Sequence, residues 1–131
     1  MTTSKFNLKV NPERIGVGQE DINRIAKIIE LKGARSPEAL IISRRRMMLV
    51  HSYIYYKAGT SAIPDHLWQR WANDLVVLQD SFPEHCELGY YDEHFKDWDA
   101  STGMDLPVDD VIVAEAVKEY KLYTGGVLDV V

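Results

Sequence analysis

Apolar residues recur at intervals of three and four along four stretches of this chain and alternate with polar ones along a fifth, so helical periodicity dominates. From about Gln19 to Lys32, Ile22, Ile25, Ala26, Ile28 and Ile29 form one stripe, and Gly33 stands where a helix C-cap is expected. Ser36-Pro37-Glu38 then supplies a capping oxygen, a residue suited to the first helical position and an acid for the positive end of the dipole. A second helix is predicted from there to about Lys57, through Leu40, Ile41, Met47, Met48, Val50, Tyr53, Ile54, Tyr55 and Tyr56, with Ala58-Gly59 at its end. Residues 60–64 read as a turn. Asp65 is placed to cap a third helix that carries Leu67, Trp68, Trp71, Leu75, Leu78 and Phe82 on one face and stops at Pro83.

The fourth helix is predicted from about Val108 to Thr124, with Pro107, Asp109 and Asp110 at its start, a stripe of Val111, Ile112, Ala116, Tyr120 and Tyr123, and Gly125-Gly126 as its stop. Alternation appears only at Phe6, Leu8 and Val10, ended by Pro12, and predicts a short strand or an extended arm docked on the core. Residues 86–106 read as a loop with a helical turn near Asp92 to Phe95, packed down by Phe95, Trp98, Met104 and Leu106. The expected fold class is mainly α. One domain over residues 1–131 would hold a central antiparallel helical hairpin at about 36–84, then a long acidic loop and the last helix over 85–131.

Composition narrows the functional classes. At 131 residues and 46% hydrophobic, the chain suits one compact core. No apolar run approaches the roughly 18 residues of a membrane span, and no signal peptide is recognisable at the start, so a cytoplasmic protein is expected. The single Cys86 has no partner for an internal disulfide. Charge is uneven. From Lys32 to Lys57 six basic residues face one acid, Glu38, whereas from Ala58 to Val131 four basic residues face fifteen acids. Such an acidic surface repels a phosphate backbone, so strong nucleic-acid binding is not expected. Arg44, Arg45 and Arg46 are candidates for an acidic partner, although consecutive residues on a helix fan over about 200° and cannot share one face.

The residues that point to chemistry surround the turn between the second and third helices. Tyr53, Tyr55 and Tyr56 precede it, and Asp65 and Trp68 follow. Aromatic faces beside an acid suit a flat, partly cationic ring; equally, the aromatics can be core and Asp65 a cap. Asp97, Asp99 and Ser101 match the first positions of a calcium loop, but Thr102 and Val108 stand where that loop needs Gly and Glu. His51, His66, His85, His94 and Cys86 lack zinc-ligand spacing.

From His51 to Glu84 the chain resembles, without a gap, the helical hairpin that opens the NAD-dependent DNA ligases of bacteria. There Tyr-x-Tyr, an Ile-x-Asp turn and a Tyr-Asp pair surround the nicotinamide mononucleotide half of NAD. The resemblance implies that Tyr55, Tyr56, Asp65, Trp68 and Gln69 occupy the cofactor-binding positions, with Trp68 replacing Tyr and Gln69 replacing Asp. The Lys-x-Asp-Gly adenylation motif is absent, since Lys96-Asp97-Trp98-Asp99 has the wrong order and no Gly, and no enzyme activity is expected. With its Phe95 to Pro107 segment, the whole chain resembles the short ligase-related proteins of phages and prophages of Gram-positive bacteria. This implies a non-catalytic interaction module that modulates a host or phage protein without a cofactor; since Trp, Tyr and Arg anchor such interfaces, Arg44, Arg45 and Arg46 or Tyr90, Tyr91 and Trp98 are the expected contacts. The alternatives are a weak NAD or nicotinamide mononucleotide binder, or a split accessory subunit of such a ligase.

Overall fold

The computed structural model describes residues 8–14, 16–31 and 37–130. Phe6, Lys32, Gly33 and Ser36, with the expectations placed on them, lie outside that range. The chain is mainly α, with no strand among the described residues: α1 (Gln19–Leu31), α2 (Pro37–Ser52), α3 (Asp65–Ser81), the single-turn α4 (Asp92–Phe95) and α5 (Asp110–Thr124). A π-helical turn, Tyr53–Lys57, prolongs α2, and a 3-10 turn, Pro83–His85, follows α3. None of these helices is long and apolar enough to cross a membrane.

Leu8 and Val10 form no strand. They pack against the core in an extended arm, which is tied down by polar contacts instead of a ladder. The N–H of Lys9 donates to Ser81 Oγ at 2.9 Å and that of Asn11 to Asp80 Oδ2 at 3.0 Å. Arg14 then pairs with Asp80 at 2.8 Å.

Helix α3 is the axis of the packing. Its residues 72–78 are all buried, because α1 covers one side, α2 another and the 86–100 segment a third. Contacts between Arg45 and Gln79 and between Ser52 and Trp68 run in opposite senses along α2 and α3, so the two helices are antiparallel. Buried Asp74 accepts from Arg24 of α1 at 2.8 Å and from Arg44 of α2 at 3.1 Å. One carboxylate thus pins both neighbours to α3, and two guanidinium groups supply the pairing that a buried charge requires.

The ends of α5 follow local chemistry, and the start of α3 does not. Asp109 caps α5 by accepting from the Ile112 N–H at 2.9 Å, and Gly125 closes that helix in the left-handed conformation (φ 74°). Asp65 does not cap α3. Pro64 holds the extended N-cap position, and the N–H groups of Leu67 and Trp68 bond to its carbonyl, which leaves Asp65 inside the first turn as a charge at the positive dipole end. Met104, expected to pack the loop down, is 54% exposed, and Trp71 is half-buried.

Arg45 is the most consequential correction. It is 1% exposed, so it is unavailable to a partner. Its Nε donates to Gln79 Oε1 at 2.9 Å, Nη1 to Asp92 Oδ1 at 2.6 Å and to the Tyr90 carbonyl at 2.9 Å, and Nη2 to the Cys86 carbonyl at 3.0 Å. The guanidinium also lies over the Phe95 ring, 5.6 Å from its centroid. A planar fork with five donors suits this set of acceptors; a lysine ammonium does not. Arg45→Met should therefore cost about 3–5 kcal/mol, because the Tyr90 and Cys86 carbonyls and Gln79 Oε1 lose their donor and Asp92 keeps only its backbone N–H partners. Arg45→Lys should lose most of the same stability. Urea unfolding that placed Arg45→Lys within about 1 kcal/mol of the parent would contradict this account.

Candidate functional site

Where α2 passes into α3, a cleft of about 190 Å³ opens, lined by His51, Tyr55, Tyr56, Ser61, Ala62, Ile63, Asp65, Trp68, Gln69 and Ser101. All five residues singled out from the sequence as ring-binding candidates, Tyr55, Tyr56, Asp65, Trp68 and Gln69, lie on its walls. The π-helical turn carries two of them. Its widened i to i+5 bond, from the Ala58 N–H to the Tyr53 carbonyl at 3.0 Å, adds a residue to the end of α2 where an ordinary helix would have stopped or continued in register. Tyr55 is left 51% exposed while Tyr56 stays half-buried, and their rings meet edge to face at 4.9 Å.

The opposite wall comes from the segment after α4. Trp68 donates from Nε1 to Ser52 Oγ at 3.3 Å and meets the Trp98 ring at 6.2 Å. Trp98 in turn packs on Phe95 at 5.5 Å and donates to the Thr102 carbonyl at 2.9 Å. Gln69 donates to Asn73 at 2.9 Å and to the Ala100 carbonyl at 3.1 Å. The Thr102 hydroxyl donates to the Tyr56 hydroxyl at 3.2 Å. Gly103 lets this segment approach α2, since a Cβ there would stand 2.0 Å from Ser52 Oγ and 3.2 Å from Trp68. The loop that also suggested a calcium site is therefore a wall of the cleft. Asp99 accepts from the Ser101 N–H at 2.9 Å in a tight turn, and no group of three or more His, Cys, Asp or Glu placed to hold a metal exists among the described residues.

His51, Ser61, Ala62, Ile63 and Ser101 are the lining residues that sequence reasoning missed, three of them in the turn itself. His51 stands one helical turn before Tyr55, a spacing that puts both on one face; Ser101 is brought in by tertiary packing and left no local signal. His51 is 2% exposed, and neither ring nitrogen has a hydrogen-bond partner. Its neighbours are Trp71 at 5.4 Å, Tyr123 at 5.6 Å and the Glu119 carboxylate at 3.9 Å. Burial pushes its pKa down to about 4, against a smaller upward pull from Glu119, so the imidazole is neutral at pH 7.

The surface anchors proposed from sequence are mostly occupied within the molecule. Arg44 is on Asp74, and Arg46 bridges Glu115 at 2.6 Å and Glu119 at 3.0 Å. With Arg45 buried, the three arginines point to three different parts of the fold. Tyr90 and Tyr91 pack against each other half-buried, the Tyr91 hydroxyl donates to Asp109, and Trp98 is held between Phe95 and Trp68. No protein-family model, curated protein or solved structure matches this chain.

Two measurements check this geometry. Gly103→Ala should destabilise the protein by about 1–3 kcal/mol, the ordinary cost of overpacking, and shift the Trp68 fluorescence as the wall moves; an unchanged spectrum and midpoint would mean that the loop does not press on Ser52. His51 should make the fold acid-sensitive in a defined window. The unfolded chain takes up a proton near pH 6.5 that the folded chain refuses until about pH 4, so His51-linked stability is complete above about pH 6.5 and is lost as the pH falls toward 4. The loss amounts to about 3 kcal/mol by linkage. His51→Phe should remove that component of acid sensitivity in urea titrations at successive pH values. Asp92 acts lower still. Burial raises its pKa, but the Gly89 N–H, Arg45 and the N–H groups of Leu88 and Tyr90 bring it down to about 2, so its contribution fades only between about pH 3.8 and 2.

Proposed function

We propose that this protein is a non-catalytic ligand-binding module that holds the nicotinamide end of NAD or nicotinamide mononucleotide in the cleft between α2 and α3. The observation that carries the reading is the convergence of Tyr55, Tyr56, Asp65, Trp68 and Gln69 on one cavity, together with the resemblance of those positions to the opening hairpin of NAD-dependent DNA ligases. Tyr55 and Trp68 offer aromatic surface to a flat cationic ring. Asp65 supplies the only carboxylate among the described lining residues, placed to accept from a ribose hydroxyl or a carboxamide. Gln69 stands where the ligase hairpin has an acid, and its amide nitrogen is committed to Asn73 and Ala100. Affinity should therefore fall below that of a site with both acids by roughly ten- to hundredfold, the worth of one charge-assisted contact.

Calorimetry should detect nicotinamide mononucleotide at micromolar to low-millimolar strength, roughly −8 to −4 kcal/mol. Asp65→Ala combined with Tyr55→Ala should abolish the heat while the unfolding midpoint stays within about 1 kcal/mol of the parent. A flat titration of the parent chain would sink the reading.

A second reading, a phage or mobile-element module that binds a host protein, is favoured by one feature. Around the end of α5, Leu122 and Val127 are 76% and 88% exposed, with Tyr123 beside them. Neighbouring exposed apolar side chains of this kind suit a protein interface.

A further inference from the structure

Among the described residues the cleft is lined by the rings of Tyr55, Tyr56 and Trp68 and by one carboxylate, Asp65, and by no lysine or arginine. The arginines of α2 are held by acids elsewhere: Arg44 by Asp74, Arg45 by Asp92, Arg46 by Glu115 and Glu119. Lys57 and Arg70 follow the lining residues Tyr56 and Gln69 in sequence, and both are exposed outside the lining. The one backbone feature that would favour an anion is the N-terminus of α3. There the N–H groups of Leu67 and Trp68 already bond to the Pro64 carbonyl, and the Asp65 carboxylate sits in the first turn and offsets the dipole. His51 contributes no positive charge at pH 7. The charged and aromatic groups of the lining therefore favour a cation, and none of them carries a positive charge to neutralise a phosphate.

We infer that the cleft recognises the positive charge of the ring and not the phosphate, so that a nicotinamide nucleoside is bound as readily as the nucleotide. The inference rests on the reading that a nicotinamide-type ring enters this cleft. A ring cation gains from the aromatic faces and from the exposed Asp65 at once. The dihydro form keeps the outline of the ring but loses its charge, and with it both interactions. A 5′-phosphate is directed away from the aromatic walls toward solvent, where exposed lysine and arginine side chains contribute little.

Two pairs of compounds isolate the two claims in calorimetric titrations of the full chain. Nicotinamide riboside and nicotinamide mononucleotide differ only by the phosphate, and their dissociation constants should agree within about threefold. Nicotinamide riboside and its reduced dihydro form differ in ring charge, and the oxidised form should bind at least about tenfold more tightly. Asp65→Asn should reduce that preference several-fold, because it weakens the oxidised form more than the reduced one. A mononucleotide bound more than about tenfold more tightly than the riboside, with an affinity that falls steeply with salt, would overturn the inference and place the phosphate on Lys57 or Arg70. So would equal binding of the oxidised and reduced ribosides. In either case the ring-binding function survives. Absence of heat with all the compounds would remove that function and this inference together.

Discussion

The buried guanidinium of Arg45 is the constraint on which the rest of the structure depends. A charge in the core is tolerated only when its donors are met, and Arg45 finds its acceptors on α3 and on the chain from Cys86 to Asp92. Meeting them draws that irregular segment onto the α2 and α3 pair. Asp92, fixed by Arg45, also accepts from the N–H groups of Leu88 and Gly89 at 3.0 and 2.9 Å, which folds the turn that starts α4. Phe95, one turn further on, is then buried beneath the guanidinium.

From Phe95 the constraint passes along a row of aromatic rings to the cleft. Trp98 packs on Phe95, Trp68 meets Trp98, and the Thr102 hydroxyl reaches Tyr56. The cavity is therefore shared between the tip of the α2 and α3 pair and a wall anchored near the other end of those helices. Disturbing Arg45 should loosen the cleft without touching any residue that lines it. Gly103 is the closest approach in this chain of contacts, since even one methyl group there meets Ser52.

Electrostatics divide the molecule in the same way. Arg44, Arg45 and Arg46, consecutive on α2, are held in internal ion pairs with Asp74, Asp92, Glu115 and Glu119. The acids that outnumber them lie mostly on the second half of the chain. What remains at the cleft is one carboxylate among aromatic rings and a neutral buried histidine, a setting that suits a cationic ring.

The sequence by itself determined the helices and most of their ends, because periodicity, proline, glycine and capping oxygens act within one or two turns. The stripes of α1, α2, α3 and α5, the turn at Asp92 to Phe95, the proline and acids that open α5 and the stop at Gly125 were all legible in this way. The gathering of Tyr55, Tyr56, Asp65 and Trp68 at one turn was legible too, and the resemblance to the ligase hairpin added Gln69; all five lie within 15 positions of each other. Only the tertiary structure decided which arginine is buried, that Pro64 and not Asp65 takes the cap position, that Met104 is exposed, and that Ser101 closes the cleft. Most of these outcomes turn on partners far apart in the chain, such as Arg45 with Asp92, 47 positions away, and Gln69 with Ala100, 31 away. A local pattern registers that a residue is polar or apolar, but a buried charge is decided by acceptors that only the folded chain brings within 3 Å.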